Sequence, residues 1–230
     1  MPSGKEFTAT LNAKNRTLID LVRRSEFWAC YFAPETPASL VAGLTSSLLA
    51  EVHMYGGELT RSISTALGRL ASFPQHAHRI PQLMKSLLEE VPHPEMAGED
   101  AAKLARTPEL LTTERARPAA FAVAAVARLL GDEHHPLTHL GFFYLLEGTT
   151  RELAPLLHEE LARRGIASPF IELHANEDAA HTAALAAKIE DIVDDDPAVA
   201  DEIEFGYDCF AGVYPLPVWQ EALQHAKEPD

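Results

Sequence analysis

The sequence predicts an all-α fold: a compact bundle of helices built as one domain over residues 1–230. Three observations carry this. Apolar residues recur at helical spacing along most of the chain, with Ala and Leu abundant. Strand-like alternation of Val, Ile and Thr is scarce. Many of the periodic stretches open at a Pro, which suits the first turn of a helix. The 230 residues are 47% hydrophobic and 23% charged, ordinary values for a water-soluble protein. A chain of this size buries roughly two-thirds of its open surface, so one core needs no disulfide or metal staple.

The elements follow in order. Predicted helices Thr17–Phe32 and Pro37–Tyr55 come first. Glu58–Leu70 continues the second of these, with Gly56-Gly57 kinking or dividing one long helix. His76–Glu90 is next, and Pro92 and Pro94 interrupt the chain before Ala97–Leu104. The remaining predicted helices are Pro118–Leu130, Pro136–Gly148, Thr150–Arg164, Pro169–Val193, Pro197–Phe210 and Pro217–Lys227; all but Thr150–Arg164 open at a Pro. No repeat, low-complexity tract or interdomain linker is evident.

Nineteen Lys and Arg against 34 Asp and Glu give a formal charge of -15. Such a chain repels phosphate backbones and anionic membrane surfaces, so neither nucleic acid nor membrane is an expected partner. The longest apolar run, Ala119 to Leu130, is broken by Arg128 and is too short to span a bilayer. The opening Met1-Pro2-Ser3-Gly4-Lys5-Glu6 lacks an apolar signal region. Cys30 and Cys209 stand far apart without metal-type spacing. A cytoplasmic protein with two reduced thiols is expected.

Function is signalled by ionisable residues on apolar faces. In Pro169–Val193, Ile171, Leu185, Ile189 and Ile192 form one stripe, and His174, Asp178 and His181 fall on it. Spacing of i, i+4, i+7 holds these three within roughly 60° of one another. Burying them unpaired is costly, and a divalent metal removes the difficulty by taking imidazole nitrogen and carboxylate oxygen as ligands. The competing reading is a satisfied His–Asp core pair. Glu147 continues the apolar face of Leu140, Phe143 and Tyr144, and needs either a cation or an i, i+4 pair with Arg151. Glu90 sits at the edge of the face made by Ile80, Leu83, Met84, Leu87 and Val91, while Glu89 points away. His93, after Pro92, can fold back beside Glu90 or sit in a surface loop. A further carboxylate is expected from Pro37–Leu70. Glu51 lies amid Leu44, Leu48 and Tyr55, and Glu58 shares that stripe if the helix runs on. His53 and His139 are candidate supporting groups; His76, His78, His158 and His225 are expected on polar faces. Phe142, Phe143 and Tyr144 are candidates for a pocket wall, with Phe143 and Tyr144 as the substrate-binding pair.

These residues resemble the haem-oxygenase-like diiron oxidases and oxygenases, a family of iron-containing redox enzymes. The likeness runs from about Leu49 to Trp219, including Tyr214-Pro215-Leu216-Pro217-Val218-Trp219. His-x3-Asp-x2-His on a late helix is its specific part; the Glu-x2-His spacing of Glu90 and His93 is similar to that of the fatty-acid decarboxylase branch that makes terminal alkenes. The resemblance implies a haem-oxygenase-like helical bundle and two Fe(II)/Fe(III) ions. It implies one ion on Glu90, His93 and His181 and the other on His174 and Asp178, with Glu147 bridging or completing the site. It also favours Glu58 over Glu51 as an additional ligand. O2 would be the co-substrate, and a small organic molecule in a specialised biosynthetic pathway the substrate. An external electron donor and a homodimer are both compatible with this reading. Mn is the competing metal for such ligands. The same architecture serves thiaminase-like hydrolases and a cofactorless quinone-forming oxidase, which need no metal; a catalytic Cys would mark the former. Haem would need an axial His near the N-terminus, yet the first His is His53.

Overall fold

The computed structural model describes residues 2–105 and 117–227, and among these no strand occurs. Helix α1 (Gly4–Arg23) opens on a capping box: the Ser3 hydroxyl accepts from the Glu6 backbone N–H, and the Glu6 carboxylate accepts from Ser3 N–H at 2.8 Å. It therefore starts well before the expected Thr17, and Phe7, Leu11, Leu18, Ile19 and Val22 form its buried stripe. The chain breaks at Arg24, and Ser25 caps a separate short helix, α2 (Glu26–Phe32). Predicted helix Thr17–Phe32 is thus two elements.

Helix α3 (Ala38–Leu70) runs through Gly56-Gly57 without a break. A Cβ on Gly56 would stand 2.6 Å from the Pro94 ring, so this glycine serves close packing rather than termination. A 3-10 turn (Ala77–Arg79) leads into α4 (Ile80–Glu90). Then α5 (His93–Leu104) starts at once, with Pro94 in its first turn. The prolines expected to interrupt the chain instead begin a helix. Helix α6 (Pro118–Glu133) is followed by α7 (Thr138–Arg163), continuous where two helices were expected. Helices α8 (Pro169–Asp195), α9 (Val199–Ala211) and α10 (Leu216–Lys227) complete the chain.

Helix α7 packs against α8 and α9, α3 against α5 and α6, α10 against α3, and α1 lies on α7 and α8. Their apolar faces form one contiguous core cluster. At the α7–α9 crossing a Cβ on Gly141 would stand 1.9 Å from the Ile203 carbonyl oxygen, and one on Gly206 2.0 Å from that of Thr138. Only glycines permit so close an approach of the two backbones. At the far end of α8, buried Arg79 bonds Asp191 and Asp195, and His76 meets Asp196 at 3.1 Å. His76 was expected on a polar face but is 1% exposed, because the turn before α4 folds it beneath the α8 terminus. Among the described residues, no helix is long and apolar enough to cross a membrane.

Candidate metal centre

Three segments meet midway along α8. Ile171, Asp178, Leu185, Ile189 and Ile192 are buried on one face of this helix, and His174 and His181 share it half-buried. Opposite stands Glu147, buried on α7. The short α4–α5 junction brings in the rest. His93 Nδ1 comes to 2.7 Å from Glu90 Oε2, though out of line for a hydrogen bond. The His93 and His174 rings lie 4.8 Å apart between centroids. His181 Nδ1 is 3.9 Å from Glu147 Oε2 and 4.0 Å from Asp178 Oδ1. One donor atom each from Glu90, Glu147 and His181 falls within a 4.8 Å span, a spacing that suits a single cation.

Two hydrogen-bonded ties hold these elements in register. Asp100 of α5, itself buried, accepts from Ser168 Oγ and from the Phe170 backbone N–H, both at 2.8 Å, so α5 caps the N-terminus of α8. Thr182 Oγ1 on α8 donates to the Glu147 carbonyl at 3.0 Å, which pins α7 to α8 beside the acids. His174 Nδ1 donates to the Phe170 carbonyl at 2.8 Å, which fixes the ring and leaves Nε2 with its lone pair for a ligand.

Charge is the problem this arrangement poses. Burial, reinforced by Asp178 and Glu90, pushes the Glu147 carboxyl up to about 9. Burial also raises Asp178, against the lowering effect of His174, Thr150 and His181. Burial pulls His93 down, but Glu90 with Asp178 and Glu177 overrides it, and the net shift is upward. Glu147 Oε2, Asp178 Oδ2 and His93 Nδ1 are buried without a hydrogen-bond partner. Buried polar atoms left in this state are costly, and a divalent cation would satisfy them together. The donor set, imidazole plus carboxylate, fits iron or manganese.

The structure brings together six of the seven expected ligands: Glu90, His93, Glu147, His174, Asp178 and His181. Glu58 stands apart. The unbroken α3 turns it toward Arg61 at 3.2 Å and Arg128 of α6 at 3.8 Å. Glu51 is fully buried and bonded to Arg117 at 2.6 Å. Glu147 does not take Arg151, whose guanidinium bonds Glu152 instead.

A cavity of about 130 Å³ opens from the His93–His174 side. Its wall is largely apolar, with Leu49, Leu59, Phe143, Leu157, Phe170 and Trp219 among the lining, and Glu90, His93, Glu147 and His174 close one end. Phe143 is therefore where a substrate-contacting residue is expected. Tyr144 is buried on the α1 side of α7, where its carbonyl accepts from Asn15, and it does not line the cavity. Neither Cys30 nor Cys209 lines it. His53 bonds the Pro94 carbonyl at 2.8 Å, and His139 bonds the Pro136 carbonyl. Asp100 and Thr182 were not singled out in the sequence: each looks like an ordinary polar residue on its own helix.

The chain overlays the crystal structure of a domain of unknown function with a haem-oxygenase-like fold from Shewanella denitrificans OS217. The TM-score is 0.72 at 18% identity, over 97% of this chain and 96% of that one. No curated protein matches the sequence. The family profile of iron-containing redox enzymes matches residues 55–214, a span that contains all six candidate ligands gathered above. With that match over most of its length, the chain belongs to the iron-containing redox enzyme family, on a haem-oxygenase-like all-α fold.

Proposed function

We propose that the protein is a non-haem diiron enzyme that uses O2 to oxidise a small organic substrate. The outcome would be hydroxylation, desaturation, C–C cleavage or N-oxygenation. One observation carries the reading: three carboxyls and three imidazoles cluster together, four of them (Glu90, His93, Glu147 and His174) lining an apolar cavity, with orphaned donor atoms on Glu147, Asp178 and His93. Glu90, Glu147 and His181 would hold one ion, and His93, His174 and Asp178 offer donors for a second. Iron in such a set supplies the electrons for O2 reduction and hence the oxidising power.

The chain's own residues do the rest. Leu49, Leu59, Leu157 and Phe170 give the cavity an apolar wall that disfavours water. Among the described residues no Lys or Arg lines that cavity, which suits a substrate with an uncharged body and its polar atoms toward Glu147 and His174. An engineered cavity of about 150 Å³ holds benzene, so about 130 Å³ suits a body near the size of one six-membered ring. Phe143, in the cavity wall one helical turn before Glu147, orients that body.

Exchange of Asp178→Asn tests the reading. Substrate-dependent O2 consumption should vanish while the helical circular dichroism persists. Full retention of the rate would end the assignment.

A further inference from the structure

The acid cluster is reached from two sides. One is the apolar cavity. The other is a smaller opening of about 40 Å³ between α4 and α8, lined on its polar side by Ser86, Glu89, Glu90, Glu147, His181 and Lys188. Phe143 stands in the wall of both. An apolar passage is a poor route for a hydrated ion, and the smaller opening carries the charged groups that an ion would meet.

Lys188 brings an ammonium group to this lining. It is half-buried, and its ammonium donates to Ser86 Oγ, which ties α8 to α4. Burial pulls its pKa below the ordinary lysine value, and Lys85 acts in the same sense, whereas Glu89 and Glu147 favour the charged form. The hydrogen bond goes to a neutral hydroxyl, so the positive charge remains available to the acids. An ammonium there gives the metal-free cluster part of what a divalent ion gives it, namely positive charge facing Glu147. Once a metal is bound, that same charge repels it.

We propose that Lys188 is a resident counter-cation of the metal centre, competing at the polar mouth with incoming divalent ions and lowering the affinity of the adjacent site. This rests on reading the cluster as a metal centre. Lys188 lies seven residues beyond His181, on the same side of α8 but outside the His-x3-Asp-x2-His motif.

The test is Mn(II) titration of metal-free protein at constant pH and ionic strength, read by the electron paramagnetic resonance of free Mn(II). Lys188→Met and Lys188→Gln should bind on the order of tenfold tighter, the scale of one like charge removed from beside a divalent ion at an intermediate dielectric. Lys188→Arg, which keeps the charge, should match wild type. Lys85→Met, an exposed control, should change affinity by about twofold or less. The Gln variant retains a polar group near Ser86, so the comparison survives if Met disturbs the α4–α8 contact. Unchanged or weaker binding in both neutral variants, or an equal gain in Lys85→Met, overturns the proposal. Tight Mn(II) binding by wild type with no gain in the variants leaves the metal centre standing and removes only Lys188. No binding by any of the proteins removes the metal centre itself.

Discussion

Glu147→Gln should make the metal-free protein more stable and the metal-loaded protein less so. The magnitude follows from the position of the carboxyl. Burial and the neighbouring Asp178 and Glu90 raise Glu147 from 4.5 to about 9. A raised value means the folded state holds a proton that the unfolded chain gives up. The stabilising contribution is then complete below pH 4.5 and is lost progressively as pH rises toward 9. At pH 7 about 2.5 pH units of that window have been crossed, and at about 1.4 kcal/mol per unit the loss is about 3 kcal/mol. Gln has the shape of the protonated acid and no such dependence. In chelator, urea unfolding should show the variant about 3 kcal/mol more stable at pH 7 and nearly equal to wild type at pH 4.5. The gap should widen steadily between these limits. With Fe(II) or Mn(II) at about 1,000 times the dissociation constant, wild type gains about 4 kcal/mol and the order reverses. A gap that does not change with pH, or a Gln variant less stable than wild type in chelator, would refute the electrostatic reasoning.

Other consequences can be measured on the same protein. His139 is buried and held down to about 4, chiefly by burial, so its neutral form stabilises the fold above pH 6.5 and that contribution is lost as pH falls toward 4. About 3 kcal/mol should disappear over that window, and His139→Asn, which can still donate to the Pro136 carbonyl, should flatten the acid limb of urea unfolding. Asp100→Ala strands the Ser168 hydroxyl and the Phe170 N–H at the start of α8; a loss of about 2–3 kcal/mol in chemical unfolding is expected, together with lower metal content by mass spectrometry. Ala154→Leu places extra bulk in the apolar cavity and should weaken binding of an apolar substrate by about tenfold or more, with metal content unchanged by the same mass-spectrometric assay.

The parts of this protein that local periodicity controls were legible from sequence. His174, Asp178 and His181 share a face because 3.6 residues make a turn, and a face that also carries Ile171, Leu185 and Ile189 has to be buried wherever α8 packs. Glu147 follows from the same logic on α7. Helix ends were less legible. The Ser3–Glu6 capping box signals the start of α1, and a reading led by apolar spacing passed over it. Proline and glycine were over-read as breaks: Gly56 answers the approach of Pro94, and Pro94 itself opens α5. What could not be read is whatever depends on helices distant in sequence. Glu58 pairs with Arg61 one turn on, which spacing within α3 reports, and with Arg128 because of how α3 lies on α6, which it does not. Asp100, Thr182 and Lys188 gain their roles only from the neighbours that folding brings to them.

Anaerobic titration of chelator-treated protein with Fe(II), with iron counted per chain after gel filtration, addresses the core assignment. Uptake of about two ions per chain, falling by at least one in Asp178→Asn, is the predicted result. Wild type that retains no iron while it turns over its substrate would contradict it.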